Sequence, residues 1–263
     1  MSWSAQQVAE VLRRAQPHDD KYRRGVLGLL TGSAEYPGAA ALGTEAALHT
    51  GLGMVRYLGP ARELVLARRP EVVCESGTVS AALIGSGMPM VSVTDPSVQQ
   101  FIAQGTPVIA DAGALDPVLL TAFADGRSLI LTPHAGEAAR LLGRDRSEVE
   151  ADPLAAATEL AVAWRATVVL KGTVTHIVSA TGNAGINSIA IGPSSPWLAT
   201  AGTGDVLAGI LGALLAGNSS ANAAALAASA VWLHSEAAAR LGGPLLASEL
   251  ARTVNPIVRE VLG

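Results

Sequence analysis

The sequence predicts an α/β domain: a mostly parallel central sheet with helices on both faces and an antiparallel edge. Three observations carry this. Short, wholly aliphatic runs alternate with longer helix-like segments, and strands that are apolar at every position belong in a parallel sheet buried on both sides. Near Gly172–Ile191 the alternation stops, and strand-like runs follow one another across "SATGNAG", a turn-rich connection suited to an antiparallel pair. The 263 residues are 49% hydrophobic but only 3% aromatic, enough to bury a large core packed from small aliphatics. No repeat, low-complexity tract or linker interrupts residues 1–263, so one domain is expected.

Taken in order, "MSWSAQQVAEVLRRAQPHDDKYRR" lacks the uninterrupted apolar core of a signal peptide and reads as a short amphipathic helix. The first strand is expected at Val26–Leu30, followed by a helix at Ala39–His49. Strand and helix then recur at Met54–Leu58 and Ala61–Ala67, and two more strands at Val72–Cys74 and Ala82–Ile84 precede a helix at Ser97–Gln104. Val108–Ala110 leads to a helix at Pro117–Ala124, Leu129–Leu131 to Gly136–Leu142 and Pro153–Arg165. Strands at Val168–Leu170, His176–Val178 and Ile186–Ile189 complete the sheet, and helices at Val206–Ala216, Asn222–Ala239 and Ser248–Val261 complete the chain. The apolar Asp205–Ala216 run is too short to span a bilayer, and the alanine-rich segment after it carries Asn222, His234, Ser235 and Glu236.

A net charge of −4 and a pI near 5.7 supply no electrostatic attraction for nucleic acid or an anionic membrane. Cys74 is the only cysteine, so neither an internal disulfide nor a thiolate metal site is available. A soluble cytoplasmic protein is expected. Of the 18 basic residues only Lys21 and Lys171 are lysines. A lysine that persists against such an arginine bias is a candidate for a specific role, since the two cations are not equivalent at phosphates.

Ligands of open α/β sheets gather where strands end and helices begin. Several such ends carry polar residues here: "LLTGSAEYPGAA", "LIGSGMP", "VIADAGALD" with Asp111, "LILTPHAGEAARLL" with His134, Gly136 and Glu137, and "VVLKGTVT" with Lys171. The most pointed is "PWLATAGTGDVLAGILGALLAG", where Gly202-Thr203-Gly204-Asp205 opens an otherwise apolar helix. Two readings stand. Thr203 or Asp205 can cap the helix through its side chain. Alternatively, open amides reached through the glycines form an anion cradle, with Asp205 as a base at its edge. Likewise His134 is a turn residue or a ligand contact. Glu137 favours its helix dipole or holds Mg²⁺ through water. Lys171 snorkels, or Lys-Gly-Thr-Val-Thr receives nucleotide phosphates. His18, His49, His176 and His234 lack metal-site spacing and read as structural.

Together "GSAEYPGAAALGTEAALHTGLGMV", "LTPHAGEAARLLG", "VVLKGTVTHI" and "PWLATAGTGDVLAGILGALLAG" resemble the ribokinase-like superfamily, and most closely its ADP-dependent NAD(P)H-hydrate dehydratases. The resemblance runs from Lys21 to Gly217. It implies a single-domain ribokinase-like three-layer α/β/α sandwich that repairs hydrated NADH or NADPH. ADP, the co-substrate, would phosphorylate the ring hydroxyl with Mg²⁺ present, and phosphate would then leave. By the same likeness Asp205 is the catalytic base and Gly202, Thr203 and Gly204 form the anion hole. Lys171, Gly172, Thr173, Val174, Thr175 and Gly204 contact the nucleotide, while Ala39, Gly87, His134 and Asp205 contact the hydrated cofactor. A homo-oligomer is implied. So is a separately encoded NAD(P)HX epimerase as functional partner, there being no room for that domain in 263 residues.

Two departures stand out. The family's G-P-G-L-G appears as Gly85-Ser86-Gly87-Met88-Pro89, and its D-A-D-A-L as Asp111-Ala112-Gly113-Ala114-Leu115, without the second carboxylate. Both are expected to bear on substrate affinity more than on nucleotide chemistry. The competing functions are a ribokinase-like vitamin-precursor kinase and a non-catalytic nucleotide-binding sensor. "LTPHAGE" with "PWLATAG" favours the dehydratase over the first, and an intact Asp205 argues against the second.

Overall fold

The computed structural model describes residues 3–123, 128–180, 185–218 and 220–263. An eight-stranded sheet organises them: β1 (Val26–Leu30), β2 (Met54–Tyr57), β3 (Ala81–Ile84), β4 (Val108–Ala110), β5 (Leu129–Leu131), β6 (Thr167–Leu170), β7 (Thr175–Ala180) and β8 (Ile186–Ile191). Their spatial order is β2-β1-β3-β4-β5-β6-β7-β8. The first six run parallel, and β7 and β8 add the antiparallel edge that the sequence predicts. The turn residues 181–184 of that edge, and Ala124 at the end of one expected helix, lie outside the described residues.

Strand side chains alternate between two cores, as the pleat requires. Leu27, Leu29, Leu83, Ile109, Ile130 and Val169 face α1 (Ala5–Val11), α2 (Pro37–His49), α9 (Thr203–Gly217), α10 (Ala223–Leu241) and α11 (Ala247–Leu262). Val26, Leu30, Ala82, Ile84, Leu131 and Val168 face α4 (Pro96–Ala103), α5 (Pro117–Phe123), α6 (Ala135–Leu142), α7 (Arg146–Ala151) and α8 (Pro153–Trp164). The short α3 (Arg62–Arg68) contributes Val65 to the first core.

The helix α9 runs through the middle of the first core, and every residue from Val206 to Ala216 is buried. A helix that is apolar all round has no solvent face to present. It lies against β1 and β3 on one side and α2 and α10 on the other. Glycines permit the closest approach: a side chain at Gly209 would strike the Gly43 carbonyl of α2, and the space beside Gly43 is filled by the Asp205 carbonyl, 3.6 Å from where a β-carbon would stand. The other flank of α2 is pinned by charge. Buried Glu45 accepts from Arg69 at 2.5 Å and from Arg252 of α11 at 2.8 Å.

Two expectations about elements need correction. Val72–Cys74 is not a strand. Only Val73 pairs, in a single bridge to Arg56 at the outer edge of β2, and only Val72 of the three is buried. One buried residue gives no face for a strand to pack. The helix α7 was not expected, because "RSEVEA" offers a single apolar residue, Val149, to the core. No helix among the described residues is long and apolar enough to cross a membrane.

Candidate active site at the strand ends

The polar strand ends meet at one end of the sheet, as the order β1-β3-β4-β5-β6 dictates. Gly32 after β1 donates its N–H to the Ser86 carbonyl after β3, at 2.7 Å. Asp111 follows β4, Thr132 follows β5 and Lys171 follows β6. Opposite them stands the N-terminus of α9.

That helix starts one turn earlier than the apolar pattern suggests, so Asp205 lies within its first turn. Gly202 is the N-cap with φ +90°, a left-handed conformation natural to glycine, and no side chain caps the helix. The capping reading of Thr203 and Asp205 is thereby overturned. Thr203 Oγ1 instead donates backwards, within 2.7 Å of the Leu198 carbonyl and 2.9 Å of the Thr200 carbonyl, and the Thr203 amide reaches Thr200 O at 3.3 Å. Among the described residues, the amides of Gly202, Gly204 and Asp205 have no protein acceptor. Unpaired amides at a helix start are an anion site in waiting. Of the expected anion-hole residues, Thr203 is thus tied down and the glycines stay open.

His234, read from sequence as structural, supports this start from below. It is buried on α10, and its Nε2 lies 2.9 Å from the Thr203 carbonyl. Burial drives its pKa down to about 4, against the raising effect of that bond. The ring is therefore neutral at pH 7, and Nε2–H donates to the carbonyl.

Lys171 Nζ lies 3.0 Å from Asp111 Oδ1, 3.9 Å from Glu137 Oε2, and 3.8 Å from the point a β-carbon on Gly204 would occupy. The lysine thus brings the β6–β7 loop to the open amides. Burial would lower its pKa, but the Asp111 and Glu137 charges hold it above the ordinary range. Asp205 is half-buried. Its pKa rises to about 7, first through burial and then through the Asp111 charge, with Lys171 opposing. A carboxyl poised near neutrality suits a general base.

His134 is the N-cap of α6: its Nδ1 accepts from the Glu137 amide at 3.1 Å, while Glu137 Oε2 accepts from the His134 amide at 2.8 Å. The rest of its ring is exposed and lines a cavity of about 700 Å³ together with Lys171, Gly172, Thr173 and Val174. The far wall of that cavity comes from Arg146, Val149, Glu150, Pro153 and His176. These were not anticipated. The signal for α7 was present, since Asp145 and Glu148 form a capping box, but nothing in "DRSEVE" announces a ligand wall. Thr175 is buried at the start of β7 and paired with Ile191, set back from the loop.

Ala39 and Gly87 come together on the other side, where the loop after β3 packs against the first turn of α2. The two departures from the family pattern interlock. Gly113 N–H donates to Gly85 O at 3.3 Å, Gly113 O accepts from Val91 at 3.1 Å, and a side chain at 113 would run into the Met88 carbonyl. A second carboxylate does not fit this loop pair. Ser86 turns to the end of β4: its Oγ donates to Asp111 Oδ2 at 2.8 Å.

An eight-stranded sheet of this order gives the chain the fold class of a ribokinase-like superfamily protein of Enterococcus faecalis, on which it superposes with a TM-score of 0.77 at 24% identity, over 99% of this chain and 95% of that one. Within that class the chain belongs to the NAD(P)H-hydrate dehydratase family, whose profile matches residues 27–254. It is 32% identical over 283 residues to the ADP-dependent (S)-NAD(P)H-hydrate dehydratase of Xanthomonas campestris, covering 97% of this chain and 95% of that one. It is 40% identical over 232 residues to the bifunctional NAD(P)H-hydrate repair enzyme of Mycobacterium leprae, covering 84% of this chain but 47% of that one. The chain thus spans less than half of that bifunctional relative. The ADP/ATP-dependent NAD(P)H-hydrate dehydratase of Bacillus subtilis, co-crystallized with ATP and Mg²⁺, superposes with a TM-score of 0.81 at 28% identity, over 99% of this chain and 98% of that one.

Proposed function

We propose that this protein is an ADP-dependent (S)-NAD(P)H-hydrate dehydratase. The observation that carries the reading is Asp205, in the first turn of α9 at the open amides, with the Lys171 ammonium standing beside Gly204, in a chain of this family. The hydrated ring carries a hydroxyl, and hydroxide is a poor leaving group. Asp205 takes the hydroxyl proton as the oxygen attacks the β-phosphorus of ADP, and AMP departs. The Gly204 and Asp205 amides and Lys171 receive the transferring phosphoryl group. The ring nitrogen then pushes the C–O bond open, phosphate leaves, a proton is lost from the neighbouring carbon, and NADH or NADPH is restored.

The nucleotide is proposed to lie along Lys171–Val174, its base end toward Val149, Pro153 and His176. Ala39 and Gly87 face the hydrated ring. Among the described residues no cluster of three metal-ligating side chains exists. A magnesium ion bound chiefly by phosphates and water would take Glu137, whose Oε2 lies 3.9 Å from Lys171 Nζ, as its protein contact through water. Such an ion would neutralise phosphate charge. Cytoplasmic residence, a homo-oligomer and an NAD(P)HX epimerase as functional partner belong to the same reading.

Product accounting tests it. The protein is incubated with ADP, Mg²⁺ and hydrated NADH while reduced-nicotinamide absorbance, AMP and free phosphate are followed. Equal amounts of NADH, AMP and phosphate are expected. Nucleotide consumed without NADH recovery would replace this reading with a kinase, and binding without turnover would replace it with a sensor.

A further inference from the structure

Asp111 is a buried carboxylate held by three donors, and no step above uses it. It sits at the end of β4 with 3% of its surface exposed. Three neighbouring strand ends donate to it: Ser86 Oγ to Oδ2 at 2.8 Å, and Thr132 Oγ1 and Lys171 Nζ to Oδ1 at 2.7 and 3.0 Å. Burial alone would lift its pKa, yet Lys171 and the two hydroxyls hold it below the usual carboxylate range, so it is charged at neutral pH. A buried ion pair is an expensive way to hold strands together, since apolar residues of like volume often serve as well. Its position gives a better reason. The Lys171 ammonium stands next to the start of α9, where the helix dipole is positive. Two positive ends facing one another repel, and without a counter-ion the ammonium would swing away.

We propose that Asp111 is a positioning residue of the phosphoryl-transfer centre: one carboxylate oxygen anchors the Lys171 ammonium beside the open amides of α9, and Ser86 and Thr132 hold the carboxylate in register. The inference rests on the assignment of Asp205 and Lys171 to phosphoryl transfer. It also bears on the base, because the charged groups facing Asp205 are Asp111 after β4 and Lys171 after β6. Glu137 on α6 reaches the trio through Lys171, and His234 on α10 stays neutral beneath Thr203.

The experiment compares wild type, Asp111→Asn and Ser86→Ala. Each is followed by its kcat and KM for ADP and hydrated NADH, by the pH profile of kcat, and by a ¹³C NMR titration of the aspartate carboxyls. Asp111→Asn should lower kcat about 100-fold, the scale of a misplaced reacting group, with KM for the hydrated cofactor within about threefold. The acid limb of its profile and the Asp205 titration should both move down by about one unit, as a like charge is removed. Ser86→Ala keeps the charge, so its kcat should fall about fivefold with the limb unmoved, the ordinary effect of loosening one supporting bond. An Asp111→Asn limb that stays in place, with the loss confined to melting temperature, overturns the proposal. If that variant does not fold, wild-type kcat in Ser86→Ala overturns it. The NMR titration separates the two claims. A downward shift of Asp205 in a protein that recovers no NADH sustains the positioning role and sinks the dehydratase. An unshifted Asp205 in an active enzyme does the reverse.

Discussion

Asp205 does two things that pull against each other. As the proposed base it must lose its proton, yet burial makes that loss costly and raises its pKa to about 7. Asp205→Asn should therefore retain nucleotide binding while turnover falls by about two to four orders of magnitude, the scale for a positioned base. Calorimetry with ADP beside a single-turnover assay separates these effects, and a variant with a tenth of wild-type rate would move the base elsewhere. Lys171→Ala should weaken ADP binding more than binding of the hydrated cofactor, because its ammonium stands at the open amides. Separate titrations decide it, and equal losses would contradict the assignment. His134→Ala is expected to raise KM for the hydrated cofactor with ADP affinity unchanged. Since the ring also caps α6 and lines the cavity beside Gly172 and Thr173, loss of ADP affinity alone would move it to the nucleotide side.

At the scale of the element, the start of α9 depends on Gly202. Its φ of +90° costs any other residue about 1–2 kcal/mol. A β-carbon there would also stand 2.6 Å from Leu42 of α2. Gly202→Ala should therefore destabilise the fold by about 2–3 kcal/mol and misplace the amide cradle, so that melting temperature and kcat fall together. Normal kcat in a folded variant would show the cradle to be less exacting. Elements like this one were partly legible. Val26–Leu30, Val108–Ala110 and Leu129–Leu131 are apolar at every residue and flanked by breakers, and their bounds match the sequence reading. The helix α7 was missed because its polar residues outnumber its one buried valine. The strand-end glycines and acids were legible as a rim, since parallel sheets leave their ligands nowhere else to go. The ties between them were not. Ser86, Asp111, Thr132 and Lys171 meet only because β3, β4, β5 and β6 are lateral neighbours, and strand order is not written in any local pattern.

For the whole molecule, pH should act on stability through the same groups. Asp205 has a folded pKa near 7 against an ordinary 3.8, so its stabilising effect is complete below 3.8 and is lost as pH rises through 7. The loss is on the order of 2–4 kcal/mol. Asp205→Asn should thus melt about 5 °C higher than wild type at pH 8 and no higher at pH 3.5. Equal melting at pH 8 would mean that the carboxylate is well solvated. His234 acts oppositely. Its folded pKa near 4 lies below the ordinary 6.5, so its contribution is present above 6.5 and drains away as pH falls toward 4.

The glycine seam between α2 and α9 has a mechanical consequence. With Gly209 against the Gly43 carbonyl and Glu45 clamped from the far side, these helices have no slack in which to slide. Ala39 rides on one and Asp205 on the other, so the gap between the proposed ring contact and the proposed base is held at a fixed tolerance. Any jaw-like movement on ligand entry then belongs to the opposite side, where Gly172, Thr173 and Val174 are exposed. Hydrogen exchange should slow on ADP binding in Gly172–Val174 and barely change in α2. Protection appearing in α2 instead would reveal give in the part that this packing makes stiff.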